Sequence, residues 1–216
     1  MTTARDAILG DIRGALGRGE LEAGTRARLD ARLASPRPNL LPRLNGDVVA
    51  HFLTRAQALG MTVARIALLE LAPAAVAAYV AERSLPPRLV VAASLRALSW
   101  PPGLQIRVGP AGRDDLVSVT PCFAAVAETG SLALASGPES PTTLNFVPDD
   151  HIVILEAARI VRHQEELWQH LRRQGGLLPR TVNLISGPSR TADIEQVVQL
   201  GVHGPRRVHV LLVAEA

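Results

Sequence analysis

The chain has 216 residues, a formal net charge of +3, one cysteine and only 3% aromatic residues. One cysteine excludes an internal disulfide and any all-cysteine zinc or iron–sulfur site within this polypeptide. Every basic residue is an arginine, which excludes Schiff-base and Walker-type lysines. The arginines alternate with acids and do not form a basic stripe, so nucleic-acid binding is disfavoured. No stretch approaches the roughly 18 apolar residues of a membrane helix and no signal core is present, so we expect a cytoplasmic protein without a membrane partner.

The first 34 residues predict an N-terminal helical arm. Apolar residues recur at helical spacing over 8–16 and again at 29–33. Such narrow apolar stripes cannot form a core alone, so the arm should pack on the main domain or on a partner. Prolines at 36–42 mark the boundary, after which residues 35–216 should form one α/β domain.

Apolar strands alternate with amphipathic helices beyond this boundary. A helix capped by Asn45 or Asp47 should end at Leu59, and further helices are predicted over 73–83 and 162–173. Strands are predicted over 62–69, 89–92, 104–108, 116–119 and 152–155, with a hairpin around Thr129-Gly130 within 123–135. This alternation predicts a largely parallel sheet with helices on both sides.

The C-terminal stretch 181–213 reads as a β-α-β unit, with a strand over 181–187, a helix over 190–200 and a final apolar strand. Arg190 and Thr191 would begin the helix and overhang the crevice beyond the carboxyl ends of the strands. An arginine there offers forked donors to a carboxylate or phosphate, assisted by free helix N–H groups. The alternative is structural: Ser186 or Ser189 caps the helix, and Arg190 pairs with an acid at 193 or 195.

Two other segments could join this site. Ser136-Gly137-Pro138 repeats the Ser-Gly-Pro of 186–188, and the two tripeptides would form two walls of one pocket if both lay at the same sheet edge. Glu128 stands at the predicted hairpin tip among apolar neighbours, which suits a general acid or base. A solvated turn glutamate is the alternative.

Three further residues have weaker claims to chemistry. His151 follows Asp149-Asp150, but adjacent residues seldom converge on one ion, so no metal site is assigned. The predicted helix would carry the chain to the opposite sheet edge, so His203 should lie far from Arg190 and be structural or interfacial. Cys122 is expected to be a small buried apolar residue, with a reactive thiol as the alternative.

The chain resembles the lactate utilization protein C group of the LUD-domain family. The matching motifs are AETGSL at 127–132, SGP at 136–138, PDDH at 148–151, ISGPSRTADIE at 185–195 and GVHGP at 201–205. The resemblance covers about residues 90 to 216. It implies a fold like that of the NagB/RpiA/CoA-transferase-like superfamily, a three-layer α/β/α sandwich around a mainly parallel sheet.

The resemblance also implies a role in oxidising L-lactate to pyruvate beside two iron–sulfur partner proteins. The clusters are then expected in the partners, and this chain is expected to bind no cofactor. The motif positions give a candidate site for a small anionic metabolite, with Glu128 as catalytic residue and with ligand-binding residues Thr129, Gly130, Ser136, Gly137, Ser186, Gly187, Ser189, Arg190 and Thr191. Two alternatives stay open: a non-catalytic assembly protein for iron–sulfur partners, and an autonomous acyl- or phosphosugar-type transferase or hydrolase.

Overall fold

The computed structural model describes residues 3–17, 19–35, 40–173, 178–191 and 199–214. Its contacts divide the chain into Met1–Leu41 and Pro42–Ala216, whereas the sequence prediction placed the boundary after residue 34. The first unit contains helices α1 (Ala4–Ala15) and α2 (Ala23–Ala34), as predicted, and neither helix buries a residue.

The second unit alternates strands and helices. Its elements in chain order are α3 (Val48–Ala58), β1 (Thr62–Ile66), α4 (Ala72–Glu82), β2 (Arg88–Val91), β3 (Gln105–Val108), β4 (Val117–Pro121), β5 (Ala124–Val126), β6 (Ser131–Ala135), α5 (Thr143–Phe146), β7 (Asp150–Glu156), β8 (Ile160–Val161), α6 (Gln164–Arg173), β9 (Val182–Ile185), β10 (Arg190–Thr191), β11 (Gln199–Leu200) and β12 (Arg207–Val213). Asp47 caps α3 by accepting a hydrogen bond from the Val49 amide.

The main sheet has six parallel strands in the order β1-β12-β7-β4-β2-β3. Its central strands β7 and β12 are near-continuous apolar runs buried on both faces, as parallel strands covered on both sides require. The prediction of a mainly parallel α/β fold is confirmed.

Helices cover both faces of the main sheet, but a second sheet lies on one of them. On one face Val76 and Val80 of α4 pack in a cluster with residues of β2, β4 and β7. On the other face Phe52 of α3 packs with β7, β12 and the second sheet, whose order is β8-β5-β6-β9. Leu167 and Leu171 of α6 cover the outer side of this second sheet. The sequence did not predict the second sheet.

The predicted β-α-β unit at 181–213 is wrong. Strand β9 pairs antiparallel with β6 in the second sheet, whereas β12 lies in the main sheet. The helix predicted over 190–200 is contradicted at both ends, because Arg190 pairs with Leu200 in an antiparallel ladder between β10 and β11. Its interior, 192–198, lies outside the described residues. The apolar spacing that suggests a helix carries no information on this cross-strand pairing.

The two edges of the main sheet position the candidate site. We call the edge where strands such as β1 and β12 begin the amino edge, and the edge where β2, β4 and β7 end the carboxyl edge. Helix α3 leads directly into β1, so its last turn marks the amino edge. Among the described helices, none combines the length and the apolar composition needed to cross a bilayer.

Candidate functional site

Glu128 lies in the predicted hairpin, which connects β5 and β6. The Glu128 backbone amide donates to the Arg162 carbonyl, which brings the residue after β8 beside the hairpin. There His163 Nδ1 lies 2.5 Å from Glu128 Oε2, with only 10% and 20% of the two side chains exposed. A carboxylate that holds an imidazole fixes its tautomer and orientation, and such a pair can accept or deliver a proton.

A chain of hydroxyl groups extends from the same hairpin. Thr129 Oγ1 lies 2.7 Å from Ser131 Oγ, and Ser131 Oγ lies 2.6 Å from Ser186 Oγ. Pairing of Leu132 with Ile185 between β6 and β9 brings these groups together. Predicted residues of two separate motifs, Thr129 and Ser186, are thus bridged by Ser131, which the sequence analysis did not assign.

The hairpin motif and the Ser-Gly-Pro motif at 186–188 both pack closely against the C-terminal end of α3. Each does so at a glycine with a left-handed backbone angle. A Cβ on Gly130 (φ +69°) would meet Arg55 Cβ at 2.7 Å, and a Cβ on Gly187 (φ +106°) would meet the Leu59 carbonyl oxygen at 2.5 Å. No side chain fits either position without moving α3. The close approach, rather than a ligand, accounts for glycine here, and it sets the hairpin and Ser186 at the amino edge.

Arg190 does not begin a helix, which contradicts the geometry predicted for it. Its Nη2 donates to the Leu59 carbonyl at 3.1 Å, so it binds the C-terminal end of α3. Gly60 leaves room for this guanidinium, because a Cβ on Gly60 would lie only 2.7 Å from Nη2. An arginine beside the last carbonyls of a helix is favoured by the helix dipole. Arg190 is nevertheless exposed, and the acids at 193 and 195, the alternative partners in the sequence analysis, lie outside the described residues.

The prediction that His203 lies far from Arg190 is also wrong. The backbone amide of Ser189 donates to the Pro205 carbonyl at 2.8 Å, and the amide of His203 donates to Ser189 Oγ at 3.3 Å. The physical reason is the ladder between β10 and β11, which returns the chain to its starting point instead of carrying it along a helix. The GVHGP and ISGPSR motifs therefore form one loop cluster.

Ser136 and Gly137 are not brought to this cluster. Ser136 pairs with Thr181 at the opposite end of the β6–β9 ladder from Ser186. The Ala93 amide, just beyond β2, donates to the Glu139 carbonyl, so this segment lies at the carboxyl edge. An open groove of about 640 Å³ lies here, and it is lined by Ser136, Gly137, Pro138, Pro141, Thr142 and 178–181. The two Ser-Gly-Pro tripeptides therefore do not form two walls of one pocket.

The acids beside His151 do not converge with it. Asp150 is fully buried and accepts hydrogen bonds from Tyr79 Oη at 2.8 Å and from Arg207 Nε at 2.6 Å. His151 Nε2 lies 2.8 Å from Thr120 Oγ1, and burial lowers the His151 pKa to about 3. Within the described residues, no group of three or more His, Cys, Asp or Glu side chains is arranged to hold a metal ion.

Cys122 is buried, as predicted. Its Sγ lies 3.0 Å from the Ala124 carbonyl, and burial raises the pKa of the thiol to about 12. A thiol that stays protonated is a poor nucleophile, so Cys122 acts as a packing residue.

Sequence reasoning missed His163 and the network of Asp150, Tyr79 and Arg207. His163 was assigned to the start of a helix, and no local spacing connects it with a residue 35 positions earlier. The Asp-Asp-His run did mark Asp150, but its arginine and tyrosine partners come from β12 and α4. Only the sheet order brings these residues together.

Comparison with known proteins identifies the segment that carries this site. Residues 116–213 match the family model described as LUD domain. An uncharacterized protein of Neisseria meningitidis is 39% identical over 90 residues, which are 41% of this chain and 38% of that protein. A lactate utilization protein C of Exiguobacterium sp. is 38% identical over 100 residues, 45% of this chain and 44% of that protein. The chain thus aligns with less than half the length of these curated relatives.

A solved structure shares the fold. The crystal structure of a DUF162 family protein from Deinococcus radiodurans superimposes with a TM-score of 0.62, at 22% identity, over 80% of this chain and 100% of that chain. The matched segment 116–213 contains the hairpin, the second sheet and the central strands of the main sheet. Through this segment, the chain is similar to the LUD-domain family.

Proposed function

We propose that this protein takes part in lactate utilization, as an accessory subunit of an iron–sulfur-dependent system that oxidises L-lactate to pyruvate. The observation that carries the proposal is the similarity of its LUD segment to proteins named lactate utilization protein C, with 38% identity in Exiguobacterium sp. and 33% in a Geobacillus species. The iron–sulfur clusters belong to partner subunits in this proposal, because a single buried cysteine cannot ligate one.

The side chains at the amino edge support a role in proton transfer; this amino-edge cluster comprises Glu128, Thr129, Ser131, His163, Ser186 and Arg190. Oxidation of the lactate alcohol removes an electron pair together with the protons on its oxygen and its carbon. The electron pair passes to the iron–sulfur clusters of the partner subunits. Both protons must go to bases: the hydroxyl proton to a base of this chain, and the proton on the carbon to a second base or to water. The pair of Glu128 and His163 is suited to this step because both side chains are largely buried and already in contact.

The same cluster supports binding of a small anion. Thr129 and Ser186 offer hydroxyl groups, Ser131 connects them, and the exposed guanidinium of Arg190 supplies positive charge at the same edge. Gly130, Gly187, Ser189 and Thr191 shape the surrounding loops in this proposal. Ser136 and Gly137 would act only through the separate groove at the carboxyl edge.

Titration calorimetry of the purified chain with L-lactate and with pyruvate tests the anion site. Arg190→Ala is expected to weaken binding at least about tenfold, because a charge-assisted hydrogen bond contributes about 1.5–3 kcal/mol. Arg96→Ala is the matched control, since Arg96 is also exposed but follows β2 at the carboxyl edge and does not line the groove there. Unchanged binding in Arg190→Ala would remove this arginine from the site.

An assembly role is the second candidate, and the first unit favours it. Helices α1 and α2 bury no residue, yet Ile8 is 60% and Leu33 is 76% exposed. Exposed apolar stripes of this kind suit contact with a partner protein. Co-purification of the iron–sulfur partners with the full chain and with residues 42–216 tests this role. Loss of the partners on truncation supports assembly, and full retention contradicts it.

A further inference from the structure

A positively charged cavity lies at the carboxyl edge of the main sheet, at the opposite edge from the proposed lactate site. Strand β4 ends at Pro121 and β7 ends at Glu156, and the Cys122 amide donates to the Ile154 carbonyl. Just beyond these ends, the chain enters β5 from one strand and β8 from the other. An open cavity of about 300 Å³ lies at this point, lined by Phe123, Ala124, Ala158, Arg159, His170 and Arg173.

The basic side chains of this cavity come from two separate elements. Arg159 belongs to the turn between β7 and β8, whereas His170 and Arg173 lie one helical turn apart on α6. Packing of Leu167 and Leu171 onto the second sheet fixes that face of α6 over the start of β5. The basic side chains therefore converge because of the fold and do not form a run in the sequence.

The cavity retains an excess of positive charge. Glu156 Oε2 lies 2.9 Å from Arg159 Nε, which orients this guanidinium. Among the described residues, no carboxylate forms an ion pair with Arg173 or His170. Of the two guanidinium groups, that of Arg159 is ion-paired with Glu156, and the charge of Arg173 is in excess. Phe123, Ala124 and Ala158 add an apolar wall beside them.

We infer that this cavity binds a small organic anion, with a carboxylate or phosphate between Arg159 and Arg173 and a short apolar group against Phe123. Forked guanidinium donors match both anionic groups. The volume is at the lower end of the range for small-molecule sites, which fits a metabolite of a few carbons. The position beyond the carboxyl ends of parallel strands is where open α/β sheets bind ligands.

Titration calorimetry with pyruvate and with inorganic phosphate, on the full chain, tests this inference. Arg173→Gln is expected to weaken binding of the preferred probe at least about tenfold. The matched control is Arg172→Gln, because Arg172 is an exposed neighbour on the same helix and does not line the cavity. Ala158→Leu, which fills the cavity without changing charge, is expected to reduce binding as well.

The outcomes separate this cavity from the proposed lactate site. A binding event that survives Arg190→Ala but is lost in Arg173→Gln assigns the anion to this cavity, whichever edge serves lactate. Tighter binding of phosphate than of pyruvate identifies a phosphate-bearing ligand, and the reverse identifies a carboxylate. Equal affinity in Arg173→Gln and Arg172→Gln would overturn the inference, as would the absence of saturable binding of both probes to the wild-type chain.

Discussion

At the scale of single residues, Asp150 connects three elements of the fold. It begins β7, it is fully buried, and its carboxylate accepts hydrogen bonds from Tyr79 of α4 and Arg207 of β12. Burial and, to a lesser extent, the hydrogen bond to Asp150 raise the pKa of Tyr79, so its hydroxyl group remains a donor. A buried carboxylate is tolerated only when it is paired in this way.

Asp150→Asn is therefore expected to destabilise the fold by about 1.5–3 kcal/mol, because Tyr79 and Arg207 lose a charged acceptor. Urea denaturation followed by circular dichroism measures the free energy of unfolding. Asp149→Asn is the matched control, since Asp149 is partly exposed and its nearest cation, Arg206, is 3.6 Å away. That change should remain within about 1 kcal/mol of wild type. Equal losses in the two variants would contradict a special role for Asp150.

Two buried histidines predict a loss of stability in mild acid. Burial lowers the pKa of His151 to about 3 and that of His209 to about 4, from the ordinary value of 6.5. Between pH 6.5 and these values the unfolded chain binds protons that the folded chain does not, so the free energy of unfolding falls as the pH falls. The contribution of the fully buried His151 should be about 2 kcal/mol by pH 5.

Urea denaturation at pH 7, 6 and 5 measures this decline. In His151→Gln the decline should be shallower than in wild type, whatever the absolute stability of the variant. A wild-type free energy of unfolding that stays constant from pH 7 to pH 5 would show that these histidines are not buried as neutral groups.

At the scale of elements, the contacts of α3 distinguish the two Ser-Gly-Pro tripeptides. Gly187 has φ +106° and faces the Leu59 carbonyl, whereas a Cβ on Gly137 would have no atom within 4 Å. Gly187→Ala should cost at least about 1–3 kcal/mol from backbone strain alone, before the collision with α3 is added. Gly137→Ala should be close to neutral. Thermal unfolding of both variants measures the difference, and similar losses would argue against the docking of this loop on α3.

Element types could largely be predicted from the sequence, but sheet membership could not. Apolar periodicity and end signals correctly indicated α3, α4, α6 and the β5–β6 hairpin. Strands β8, β10 and β11 have only two residues each, too few for a periodic signal. Strand β9 was recognised as a strand, but its place depends on cross-strand pairing with β6. The pairing of β10 with β11 could not be predicted for the same reason, and a helix was therefore wrongly predicted over 190–200.

At the scale of the whole second unit, the chain passes repeatedly between the two edges of the main sheet. Glu128, Thr129 and Ser186 therefore meet at the amino edge, while Ser136 lies at the carboxyl edge. The resemblance in sequence indicated candidate motifs, but it could not show which of them share an edge. Which motifs share an edge depends on the strand order. The contact of His163 with Glu128 depends on strand pairing in the same way, so the sequence did not indicate it.

The central claim is that the amino-edge cluster serves lactate oxidation through Glu128. Its most direct test is L-lactate-dependent reduction of a dye by the chain together with its iron–sulfur partner proteins, compared for wild type, Glu128→Gln and the carboxyl-edge control Glu139→Gln. The account predicts a loss of turnover of about a hundredfold or more for Glu128→Gln, in the range of general acid–base catalysis, and wild-type turnover for Glu139→Gln. Wild-type turnover by a folded Glu128→Gln protein would contradict it.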